Sequence, residues 1–208
     1  MNQRRLQKVE AKFIAFEGGD ASGKTTQAKR VSDKLNAVFT REPGGTPVGE
    51  SLRSILLDPA EAVALRAEAL LMAASRAQLV HDVIKPALSN GQHVVTDRFL
   101  SSSLAYQGYA SGLPLEQVLN LSLFATNDLI PDLTILIDLP VEESMNRRGK
   151  HPDRFEQENV EFHNRVRNGY LEMATTQSDS WIVIDGTKSP EDVAKDVDHS
   201  ISQRLRLS

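Results

Sequence analysis

The run Gly18-Gly19-Asp20-Ala21-Ser22-Gly23-Lys24-Thr25 constrains the fold of this chain more than any other feature. It fits the spacing GxxxxGK[ST], directly after a short apolar run, Lys12 to Glu17, and directly before a run with helical spacing, Thr26 to Leu35. Glycines at those places let a loop wrap so that successive backbone N–H groups point inward. A helix that follows adds the positive end of its dipole. Such a cradle suits a triphosphate: Gly18 to Thr25, with Thr26 behind them, would bind its oxygens, Lys24 would reach the β and γ phosphates, and the Thr25 hydroxyl would hold magnesium. The alternative is a glycine-rich turn that binds nothing, and the flanking strand and helix argue against it.

Four further runs rich in β-branched or aromatic residues follow, Ala37 to Thr40, His93 to Asp97, Leu133 to Asp138 and Trp181 to Asp185, with helical spacing between them. This alternation predicts an α/β fold, a five-stranded parallel sheet with helices on both faces, and the continuous apolar character of the runs fits strands buried on both sides. At 208 residues and 40% apolar content, with no interdomain linker, the chain reads as a single domain over 1–208. In such sheets ligands bind beyond the carboxyl ends of the strands. The polar clusters here sit at or just after those ends.

Composition narrows the partners. A net charge of −4 with interspersed signs offers no basic field for a nucleic acid. The absence of cysteine excludes disulfides and thiolate metal sites and fits a reducing compartment. His81, His93, His151, His163 and His199 lack metal-ligand spacing, and the apolar run Phe13 to Phe16 is too short for a signal-peptide core or a membrane span. A cytoplasmic protein without a membrane or nucleic-acid partner is expected.

After the second strand, Thr40-Arg41-Glu42-Pro43-Gly44-Gly45-Thr46-Pro47 forms a rigid loop that sets Arg41 and Glu42 at the mouth of the sheet. The bland reading pairs Arg41 with its neighbouring glutamate. His93 to Asp97 ends a strand in an acid, with Arg98 next: Asp97 would organise magnesium and Arg98 would grip a phosphate with its planar fork. Asp138 ends a strand in the same way but lacks the polar residues that follow Arg98, and reads as structural. Helical spacing aligns Ser102 with Tyr106 and Ser103 with Gln107, offering hydroxyl and amide groups to a base and sugar. On a long helix from about Ala64, Arg76 falls one turn after Met72 in an apolar stripe and needs a partner.

In these motifs the chain resembles the bacterial thymidylate kinases. The phosphate loop, Arg41-Glu42-Pro43-Gly44-Gly45-Thr46, Arg76-Ala77-Gln78, Asp97-Arg98-Phe99 and Ala105-Tyr106-Gln107-Gly108 occur in that family's order and spacing, from about Lys12 to about Val197. The resemblance implies a homodimeric kinase of the P-loop NTPase fold that moves the γ-phosphoryl group of ATP, with Mg2+, onto dTMP to give dTDP for DNA synthesis. It further implies that Asp20 lies near the acceptor sugar and phosphate, that Arg98 holds that phosphate and that Arg76 meets the thymine edge. Ser103 and Gln107 would line the base pocket and Tyr106 would crowd the sugar 2′ position, with Arg41, Glu42, Pro43 and Ser102 also expected to bind the substrate. Met72 stands where the family usually carries the phenylalanine that stacks on thymine, and a thioether can still pack on a ring face.

Transfer between two polyanions requires charge neutralisation more than acid–base chemistry. Lys24, Arg98 and magnesium supply part of it, while Asp20-Ala21-Ser22 inside the loop holds no arginine. The basic segment Arg147 to Arg154, within a lid of about 147–156, resembles the lid of the family's bacterial subgroup, and Arg148 or Arg154 is expected to touch the transferred group. Two other readings stay open: a small kinase for another monophosphate or for an unphosphorylated deoxynucleoside, and a nucleotide-binding regulator without turnover.

Overall fold

Phe13 and Ala15 face one apolar core while Ile14 and Phe16 face another, so the strand that they form, β1 (Phe13–Glu17), is buried on both sides. In the computed structural model, which describes residues 10–149 and 152–205, this strand is the centre of the sheet. The elements that follow are α1 (Lys24–Leu35), β2 (Val38–Arg41), α2 (Pro47–Leu57) and α3 (Leu65–Leu79). A π-helical stretch, Val80–Ile84, carries α3 into α4 (Lys85–Ser89), and β3 (Val94–Asp97) comes next. The short α5 (Leu100–Ser103) runs into a second π-helical stretch, Leu104–Ala110, before α6 (Leu115–Thr126), β4 (Leu133–Asp138) and α7 (Val141–Arg147). The last elements are α8 (Val160–Thr176), β5 (Trp181–Asp185) and α9 (Pro190–Leu205).

All pairings are parallel and the order is β2-β3-β1-β4-β5. Helices cover both faces, as expected. On one side Ala28 and Val31 of α1 and Val193, Val197 and Ile201 of α9 pack on Ile14, Phe16, Val95 and Ile135. On the other, Leu79, Phe99, Leu104 and residues of α8 such as Val166 and Tyr170 pack on Phe13, Val94 and Leu136. The five strand runs read from sequence fall within one or two residues of the observed bounds. Because the chain leaves β1 for β2 on one side of the sheet and later crosses to β4 on the other, a crevice opens at the carboxyl end of β1.

Local chemistry sets the loops at that crevice. Gly18 lies at φ 144° and an added Cβ would stand 2.5 Å from the Ile137 carbonyl oxygen, so only glycine fits. Gly45, at φ 78°, is packed as tightly against Thr40 and Leu79. The Thr46 hydroxyl accepts from the Gly49 N–H and caps α2, with Pro47 in its first turn.

Candidate active site

The cradle is built from the end of β1 and the start of α1. Gly23 at φ 88° caps α1, and Lys24, the first residue of the helix, is buried and turns its Nζ back to the Gly19 carbonyl at 3.1 Å. Burial pushes the Lys24 amine below its ordinary pKa, Arg98 adds to this, and Asp97, Asp20 and Glu17 oppose it. Thr26 is exposed in the same first turn. The Ser22 hydroxyl is buried without a hydrogen-bond partner, a donor left for a ligand.

At the end of β3 the Thr25 hydroxyl donates to Oδ2 of Asp97, whose Oδ1 is buried and unpartnered. A hydroxyl and a carboxylate with a spare buried oxygen, beside a phosphate cradle, fit Mg2+. That ion binds through one or two protein oxygens plus substrate phosphates. Among the described residues no cluster of three His, Cys, Asp or Glu side chains offers a metal cage, in keeping with such a sparse donor set.

Arg98 is the hub of the site. Its backbone lies in the left-handed region at φ 71°, which costs a non-glycine residue about 1–3 kcal/mol and is held by a bond from its N–H to the Phe16 carbonyl at 2.8 Å. That backbone aims the guanidinium across the crevice. Nη1 donates to Gly18 O, Ser102 Oγ and Tyr170 Oη, and Nη2 donates to Asp20 Oδ1 at 2.6 Å and to Tyr106 Oη at 3.1 Å. Burial pushes the Asp20 carboxyl up, but Arg98, Lys24 and Arg148 outweigh it and leave it below the ordinary carboxylate value. Beneath lies Glu17, fully buried, which accepts from the Phe99 N–H and from the hydroxyls of Ser102 and Tyr170. Burial raises its pKa against those bonds and against Arg98.

A single cavity of about 310 Å³ joins the cradle to the acceptor motifs, touching Asp20, Ala21, Lys24 and Thr25 at one end and Met72, Arg76, Ser103 and Gln107 at the other. Arg41, Glu42, Pro43, Asp97, Arg98, Ser102 and Tyr106 also line it. Arg76 is 2% exposed and pairs with Glu42 at 2.7 Å, with further bonds to Ser122, Ser103 and the Phe99 carbonyl. The partner that Arg76 needed is thus Glu42, whereas Arg41 turns to Glu50, at 3.1 Å, and not to its neighbour. Glu42 keeps Oε1 buried and unpartnered at the cavity. Asp138 is bound by Arg167 at 2.7 Å.

The residues of the segment expected to form a lid divide. Arg148 caps α7, donates to the Glu156 carbonyl at 2.8 Å and borders a smaller cavity with Asp20 and His163. Arg154 stays outside the main cavity, paired with Glu68 of α3 at 2.7 Å and bonded to the Leu56 carbonyl at 2.9 Å. Lys150 and His151 lie outside the described residues. The sequence reading missed Arg53, which lines the cavity from α2 and donates to the Pro43 carbonyl at 2.8 Å. It also missed Glu68, and the only signal for either was a charged residue on a helix next to a recognised motif.

The family model described as thymidylate kinase matches residues 16–197. The thymidylate kinase of Caldanaerobacter subterraneus subsp. tengcongensis is 47% identical over 204 residues, covering 95% of this chain and 98% of that protein. That of Neisseria gonorrhoeae is 44% identical over 197 residues, with 91% and 96% covered. A crystal structure of thymidylate kinase from Ehrlichia chaffeensis superposes with a TM-score of 0.76 at 32% identity, covering 92% of this chain and 98% of that one. Matched by that family model over most of its length and close to half identical to such a relative, the chain belongs to the thymidylate kinase family.

Proposed function

We propose that the chain transfers the γ-phosphoryl group of ATP to the phosphate of dTMP, releasing ADP and dTDP. The observation that carries this reading is the single cavity with a phosphate cradle at one end and a pocket walled by Met72, Arg76, Ser103 and Gln107 at the other. An acceptor phosphate oxygen is already anionic at neutral pH, so transfer depends on positioning and on charge, not on a base. Lys24 neutralises the donor phosphates, and Arg98, fixed by Asp20, Ser102, Tyr106 and Tyr170, grips the acceptor phosphate. Thr25 and Asp97 would hold Mg2+, which when bound spreads the charge of the triphosphate. Arg148 or Arg154 adds a cation from the lid, and Arg148 is the nearer to the cradle in this arrangement, since it borders a cavity with Gly19 and Asp20. Arg76 and Gln107 read the base, Met72 packs on its face, and Tyr106 stands against a ribose 2′ hydroxyl.

A homodimer acting in the cytoplasm, without a nucleic-acid partner, completes the proposal. Support for the dimer is the outward apolar surface of two helices that pack on each other, α3 and α6, where Leu70 and Phe124 are exposed. No helix among the described residues is long and apolar enough to cross a membrane.

The test is coupled ADP release with Mg-ATP against dTMP, dUMP, TMP, dCMP, dGMP, AMP and thymidine. A clear preference for dTMP is expected. Preference for another acceptor overturns the base pocket and keeps the kinase, and silence across the panel removes phosphoryl transfer altogether.

A further inference from the structure

Glu68 belongs to none of the motifs, yet it is buried on α3 and joins two of them. Its Oε1 accepts from Nε2 of Gln107 at 2.7 Å, and its Oε2 takes Arg154 of the lid at 2.7 Å. A carboxylate paired with an arginine is an acceptor only. It therefore dictates which end of the Gln107 amide faces it: the nitrogen. The other end, the carbonyl oxygen, has no hydrogen-bond partner among the described residues, and Gln107 lines the acceptor end of the cavity.

The consequence is chemical. With its nitrogen tied down, Gln107 offers a base an acceptor. Thymine and uracil carry a proton on ring nitrogen N3, whereas cytosine has a lone pair there and would face the Gln107 carbonyl acceptor to acceptor. A buried polar group left facing its own kind is costly. We propose that Glu68 is a positioning residue for base selection: it holds the Gln107 amide by its nitrogen, so that a pyrimidine with a protonated N3 is preferred over one without. This rests on the reading of the cavity as the dTMP site. Arg154 occupies the second oxygen of Glu68, so the lid segment supports the selection without touching the base.

The experiment is steady-state kcat/KM for dTMP and dCMP in the wild type, Glu68→Gln and Glu68→Ala. Glutamine can donate as well as accept, and alanine does neither, so both free the Gln107 amide to turn over. The dTMP-to-dCMP ratio is expected to fall about ten- to a hundredfold in each variant, with most of the change in KM. In a Gln107→Met background neither substitution should alter the ratio further. An unchanged ratio overturns the proposal, whether or not kcat falls equally for both acceptors, since an equal fall alone is what a merely structural role or the release of Arg154 produces. The wild type gives a check that needs no substitution: the Gln107 side-chain amide protons should exchange slowly with solvent, with and without dTMP, and rapid exchange in either state overturns it. If the wild type itself does not favour dTMP over dCMP, the reading of the cavity fails. A wild-type preference that persists in the variants removes Glu68 alone.

Discussion

Glu42 sits between two demands. Burial pushes its carboxyl up to about 7, against the pull of Arg76, from an ordinary value of 4.5. Between those values the folded protein binds a proton that the unfolded chain releases. The stability that Glu42 contributes is therefore full below about pH 4.5 and is lost as pH rises through about 7. Thermal melts of the wild type and Glu42→Gln between pH 5 and 8 should show the wild type losing about 2–3 kcal/mol relative to the variant. A constant difference across that range would show that Glu42 does not titrate in this way. At this scale the sequence was legible wherever a residue acts through the backbone next to it. Lys24, Thr25, Asp97 and Arg98 fall where strand ends and a glycine loop put them. It was illegible wherever a side chain is answered from far along the chain: Arg76 by Glu42, Gln107 by Glu68 and Glu68 by Arg154.

The lid shows the same division between elements. A basic loop between two helices was expected there from its glycine, proline and basic residues, and α7 and α8 flank it. The directions of its side chains did not follow, because they depend on α2 and α3: Arg154 is held by the Leu56 carbonyl and by Glu68, and Arg148 by its own segment. Replacing the lid arginine that meets the transferred group with alanine should lower kcat by about a thousandfold or more while leaving dTMP affinity close to normal. Rapid-quench turnover and dTMP titration of Arg148→Ala, Arg154→Ala and the double variant decide this. Near-normal turnover in all three would leave the lid without a chemical role. The π-helical stretch Leu104–Ala110 was also unreadable, since its period cannot be told from an α-helix over so few residues. It nevertheless carries Tyr106 and Gln107 into the cavity.

In the whole molecule, two large apolar side chains stand out of the core on helices that pack on each other, α3 and α6. Phe124 on α6 is 86% exposed and Leu70 on α3 is 58% exposed. A second copy that covers this face would account for both, and Phe124→Glu should then halve the sedimenting mass at micromolar concentration. An unchanged mass would place the dimer contact elsewhere or remove it. Helical spacing predicted an apolar stripe from Ala69 to Ile84 that could serve core or interface; the fold buries its Ala69, Ala73, Val80 and Ile84, and Leu70, which was not part of it, stands outside. The strand order carries one more consequence. Phe13–Glu17 pairs with β3 and β4 and never with β2, the strand that follows it, and Gly18 packs on the carbonyl of Ile137 in β4. On the ribosome, a nascent chain that has released only its first two strands therefore carries an apolar segment with both edges bare. The native contact of Gly18 with Ile137 has no partner until Leu133–Asp138 has emerged, and until then the segment presents the kind of bare strand edge that favours aggregation.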